Sequence, residues 1–81
     1  MFFDGNCLIR RAGVTPDGRA QLDLSAEDGS FGWNWFLSPS GHTREILAVA
    51  LAAIASNKRV FCQIQDPSVA WSDVIRFGLV K

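Results

Sequence analysis

The chain predicts a mostly β (α+β) domain, a five-stranded antiparallel barrel with one helix between the third and fourth strands. Three observations carry that prediction. Short segments alternate apolar and polar residues with period two. Turn tetrads separate them, Thr15-Pro16-Asp17-Gly18 the clearest, where Pro presets one dihedral and Gly supplies a positive one. One stretch, about Thr43 to Asn57, has helical start and stop signals and no turn residue inside it. Eighty-one residues are enough for one domain and too few for two, so residues 1–81 are read as a single unit.

The first strand is read from Cys7 to Val14 and the second from Arg19 to Leu24. In the second, Ala20, Leu22 and Leu24 face one side, and Arg19, Gln21 and Asp23 face a half-solvated other side. Asp28-Gly29 marks the next turn. Phe31 to Leu37 is the third strand, its aromatic content suited to a pleated sheet. Alternation groups Phe31, Trp33, Trp35 and Leu37 on one face, expected to be the core, and turns Asn34 and Phe36 outward. Gly32 is expected to be a bulge or a close backbone approach. Ser38-Pro39-Ser40-Gly41 then breaks the strand.

The helix takes Thr43 as its expected N-cap, Glu45 in its first turn and Asn57 as a left-handed C-terminal residue. Arg59 to Gln65 is the fourth strand, with Val60, Cys62 and Ile64 on one face. Asp66-Pro67-Ser68 turns the chain into a last strand, Trp71 to Val80, in which Ile75, Phe77 and Leu79 share a face. This order is the layout of an OB-like, partly open Greek-key barrel. An open sheet with the helix on one face is the competing arrangement, and closure has the advantage of removing exposed edges.

From Ile46 to Ser56 the helix carries no charge. A surface helix of a small monomer normally shows a charged outer face. Here Ala48, Ala52 and Ala55, with Val49 beside them, complete an apolar circumference. These residues are the expected contact of a homo-oligomer, against the alternative of a monomer whose outer helix face is alanine-rich.

Trp35-Phe36-Leu37, the helix end Leu51-Ala52-Ala53-Ile54-Ala55-Ser56-Asn57-Lys58, the strand Arg59-Val60-Phe61-Cys62-Gln63-Ile64 and Trp71-Ser72-Asp73-Val74-Ile75 resemble small bacterial OB-fold proteins. Those proteins are similar to the B subunits of AB toxins of the pertussis and subtilase-cytotoxin kind. The resemblance spans roughly residues 8–80 in layout. It implies a pentameric ring with helices lining a pore, and a sheet that binds host glycans.

The chemistry of the residues points to binding and away from catalysis. The one histidine, His42, lies in a Ser/Gly-rich turn and reads as a solvated or capping side chain. A triad would have to draw on Ser38 or Ser40, and no nucleophile-elbow pattern is present. Two cysteines and one histidine without metal-ligand spacing do not make a metal site, and no cofactor motif appears. Cys7 and Cys62, in the first and fourth strands, read either as buried thiols or as a disulfide. Trp71, after a turn and before Ser72-Asp73, is the best candidate for an exposed ring, in a ligand site with Asn34 and Phe36.

Eight basic residues balance eight acidic ones, which argues against a dedicated nucleic-acid binder. No apolar run approaches membrane-spanning length, and residues 1–6 lack the basic and apolar regions of a signal peptide, so secretion would require a leader already removed. The expected function is an oligomeric, non-catalytic binding protein for glycans or cell surfaces. A structural or protein-interaction module is the alternative.

Overall fold

The computed structural model describes residues 2–39 and 41–80; Ser40, one of the two serines considered for a triad, lies outside them. β1 runs Phe3–Val14, β2 Ala20–Ala26, β3 Asn34–Leu37, α1 Thr43–Ser56, β4 Val60–Ile64 and β5 Ser72–Leu79. The strands form a closed barrel in the order β1-β2-β3-β5-β4, with β4 returning to β1. The architecture is therefore the OB-like layout of five strands and one inserted helix. It departs from the expectation in being fully closed and in having one parallel seam, Phe36 opposite Ser72 and Leu37 opposite Asp73. The seam is unavoidable. Strand directions cannot alternate all the way round a closed ring of five.

β1 starts four residues earlier than its sequence suggests. Phe3-Asp4-Gly5-Asn6 has little strand propensity of its own, but Phe3 to Cys7 pairs with Ile64 to Val60 while Cys7 to Val14 pairs with β2. One long strand thus serves two neighbours. Its ladder is interrupted at Arg10, the extra residue between the pairs Ile9–Leu24 and Arg11–Asp23.

The core gathers Phe3, Cys7, Leu22, Leu24, Phe36, Val60, Cys62, Ile64 and Val74, capped by Ala50 and Ala53 of α1. Ala20, Leu22 and Leu24 point inward as expected. In β3 the expected faces are reversed. Leu22 pairs directly with Phe36, and paired residues share a face, so Phe36 is fully buried. Trp33 and Trp35 lie outside. Phe31 is separated from β3 by a bend at residues 31–33 and turns inward independently. It packs edge-on against Phe3 and Phe36, with ring centroids 4.9 and 5.6 Å apart.

Gly32 lies outside the strands, with open space about its Cα, and is not the bulge. The close approach is at Gly78 instead, where a Cβ would collide with the ring of Phe61. A second irregularity, opposite Gln63 and Ile64, lets Val74 and Phe77 both face inward and leaves Ile75 in solvent. That corrects the grouping of Ile75 with Phe77 and Leu79.

α1 is fourteen residues, about 21 Å long. Asn57 closes it in the left-handed conformation (φ 54°), with the Lys58 amide donating to the Ala53 carbonyl at 2.9 Å. The N-cap position belongs to His42, whose side chain makes no capping hydrogen bond. The Thr43 hydroxyl donates instead to the Gly18 carbonyl at 2.6 Å, tying the helix start to the β1–β2 turn.

Candidate functional site

The outer face of β1, β2 and β3 carries a row of charged and aromatic side chains centred on Asp23. In a regular strand Arg10 and Arg11 would point to opposite faces. The bulge at Arg10 lets both reach the same carboxylate. Arg10 Nε donates to Asp23 Oδ2 at 2.6 Å, and Arg11 Nε to the same oxygen at 3.0 Å. The carboxylate is almost completely covered, at 1% exposure, although it lies on the outside of the barrel. Two guanidiniums on one carboxylate leave the cluster a net positive charge.

Each guanidinium also lies over an indole, Arg10 at 4.4 Å from the Trp33 ring centroid and Arg11 at 5.0 Å from that of Trp35. Trp35 pairs with Asp23 across the β2–β3 ladder, so Arg11 approaches it from the β2 side. From the β5 side Trp71 stacks on it, centroids 5.9 Å apart and planes 10° from parallel. The row across the sheet is therefore Arg11, Asp23, Trp35, Trp71, with Arg10 and Trp33 alongside. At the far end Arg19 closes the face. It donates to the Ser38 carbonyl at 2.8 Å and to Asp73 Oδ1 at 2.6 Å.

Trp71 has a left-handed backbone (φ 67°), which an aromatic residue adopts only under constraint. Its amide donates to the Trp35 carbonyl at 2.7 Å, an arrangement that fixes its position at the start of β5. Trp71 remains 49% exposed, and Trp33 is 41% exposed.

Of the residues expected to form a ligand site, Trp71 is at the surface as anticipated, Asn34 is half-buried in β3, and Phe36 belongs to the core. Trp33, Trp35, Arg10, Arg11 and Asp23 were not anticipated as a group. Their signal was present in the Arg10-Arg11 doublet facing a lone aspartate in the next strand. Alternation alone sends one of the two arginines inward and hides the cluster.

The remaining expectations are placed as follows. Ala48, Ala52 and Ala55 are exposed on α1, Val49 is half-buried, and Leu51 between them is 53% exposed. Cys7 and Cys62 are buried free thiols. Interaction with Cys7 and then burial push the Cys62 thiol well above its ordinary value, so it stays protonated. Ser38 is buried, its hydroxyl accepting from the Ala20 amide at 2.9 Å, which gives it a structural role. His42 is exposed at the mouth of a groove of about 550 Å³ between α1 and β4–β5, with Phe61, Ile75 and Arg76 among its walls. Among the described residues no cluster of metal-ligating side chains occurs, and no helix is long and apolar enough to cross a membrane.

No protein-family model, curated protein or solved structure matches the chain.

Proposed function

We propose that this chain is a non-catalytic binding protein that seats a sugar ring on Trp71, with the arginine–tryptophan face as its recognition surface. The observation that carries the reading is the exposed Trp71 ring held at φ 67°. A left-handed non-glycine residue costs about 1–2 kcal/mol, and such outliers cluster at ligand clamps and other functional sites. The cost is offset by stacking on Trp35 and by the hydrogen bond to its carbonyl.

The arrangement favours a sugar over a run of bases. Trp35 is engaged by Arg11 on one side and by Trp71 on the other, and Trp33 is covered in part by Arg10. One framed platform remains, suited to a single ring, whereas a nucleic-acid strand needs several. Asp23 balances one of the two arginine charges, and the chain as a whole is neutral, short of the basic excess a nucleic-acid strand calls for. Barrels of this layout accept oligosaccharides as well as oligonucleotides on this face.

A glycan array probed with the intact chain tests the reading. Sugars that bind should be lost with Trp71→Ala and partly kept with Trp71→Phe. An array silent to every sugar, with a single-stranded oligonucleotide retained at about 50 mM salt, would overturn it.

A second reading, self-association, is favoured by the uncharged stretch from Ile46 to Ser56 of α1, where Ala48, Leu51, Ala52 and Ala55 are exposed. Sedimentation of the intact chain decides it. A 9 kDa monomer (8.9 kDa by sequence) at micromolar concentration removes it.

A further inference from the structure

We infer that Asp23 is the positioning residue of the binding face, acting through Arg10 and Arg11 to hold the indoles of Trp33, Trp35 and Trp71 in register. The inference rests on the same face as the proposed glycan reading, but not on the identity of the ligand.

The geometry is that of a hub. One buried oxygen, Asp23 Oδ2, receives the Nε donors of both arginines, and each arginine in turn lies on a different tryptophan. Without the carboxylate, two half-exposed guanidiniums would have no ion-pair partner among the described residues and would repel each other. Long side chains so released regain their rotamer freedom and leave the rings. Trp35 would lose its contact on the β2 side, and the Trp71 ring would then stack on a mobile surface.

Position 23 is otherwise an ordinary outward site in the middle of β2, where a threonine or lysine would satisfy alternation. A buried carboxylate there has no use in packing the barrel, whose core lies on the opposite face. The Nε atoms are engaged inward, and no hydrogen bond to the four terminal guanidinium nitrogens is formed by the described residues. Asp23 thus also presents these donors beside the Trp71 platform, where hydroxyl and carbonyl oxygens of a bound ring can accept from them.

The test uses the intact chain and two readouts. Ligand-free, the near-ultraviolet circular dichroism of the indoles and their quenching by acrylamide report ring order. Binding is then read on the glycan array. Asp23→Asn keeps size and shape but removes the charge. The expected result is a protein with unchanged far-ultraviolet dichroism, a largely lost indole dichroism band, roughly doubled acrylamide quenching, and retention of array sugars reduced about tenfold or more, the scale of a lost charge-assisted hydrogen bond.

Should Asp23→Asn fail to fold, Arg11→Lys takes its place. It keeps the charge and loses the planar fork over Trp35, and it should reproduce the loss of indole order. A folded Asp23→Asn, or a folded Arg11→Lys in its stead, with indole dichroism and quenching like the parent overturns the inference. A wild-type chain that binds no sugar defeats the glycan reading alone, because the ligand-free readouts still decide the role of Asp23.

Discussion

Among the surfaces that leave apolar side chains in water, two do so in opposite ways. On the face of β1–β3 the exposed groups are large rings, each with a named partner: Trp33 under Arg10, Trp35 between Arg11 and Trp71, Trp71 hydrogen-bonded to the Trp35 backbone. On the outer face of α1 the exposed groups are small, Ala48, Ala52 and Ala55 around Leu51, and none carries a polar handle. The first surface holds a shape and accepts strain at Trp71 to do so. The second holds no particular shape, and beyond its first turn, where Arg44 and Glu45 are exposed, it lacks charge. The first has the geometry that the proposed directional recognition needs, and the second suits only close non-directional packing.

The largest effect that sharpens this contrast lies in β3 and the residue just before it. Phe36→Ala, on the inner side, should lower stability by about 3–5 kcal/mol. Trp33→Ala, three residues away on the outer side, should lower it by only about 1–2 kcal/mol, a cation–π contact and partial burial. Urea unfolding of both variants measures the difference, and equal losses would mean that the outer face is a second core.

Next comes Trp71→Gly. Relief of the left-handed backbone, worth about 1–2 kcal/mol, opposes the loss of ring stacking, about 0.5–1.5 kcal/mol, and the entropy of glycine, about 0.5–1 kcal/mol. The thermal midpoint should therefore stay within a few degrees of the parent while sugar binding disappears. A collapse in stability would assign Trp71 to the fold instead of the ligand.

Ala52→Glu probes the other surface. On a monomer it should alter stability by less than about 0.5 kcal/mol, as exposed helix sites do. If copies pack through α1, the same variant lowers the sedimenting mass. A lower stability without a change in mass would break the assignment of this face to association.

The core thiols provide a check that neither surface should influence. With Cys62 raised and both cysteines buried, thiol reagents should leave the native chain unmodified and react at both sites once it unfolds.

The smallest expected effect is on pH. Hydroxyl hydrogen bonds from Thr15 and Ser30 hold the Asp17 and Asp28 carboxyls below their ordinary values in the folded chain. The unfolded chain then binds protons first as pH falls. The stability these turns contribute is present above the ordinary carboxylate value and lost as pH drops through the lowered one. Both groups are exposed, so acid titration should show only a shallow decline, removed further by Thr15→Ala and Ser30→Ala.

Much of the chain's order was legible from residues alone. The Thr15-Pro16-Asp17-Gly18 turn, the inward Ala20, Leu22 and Leu24, and the left-handed Asn57 are local effects of dihedral preference and period-two burial, and neighbours in sequence suffice to specify them. The element order limited the topology to a barrel or an open sheet.

Tertiary structure decided the rest. Whether Phe36 or Trp35 enters the core depends on which residue of β2 it meets, and a pairing register is a property of two strands. The bulge at Arg10 lies where β1 has left β4 and pairs with β2 alone, and it is what brings two consecutive arginines onto one aspartate. The parallel seam that sets Trp71 beside Trp35 follows from closing an odd number of strands. Local propensity determined the elements of this protein, while closure and register, which couple residues far apart in sequence, determined the face they present.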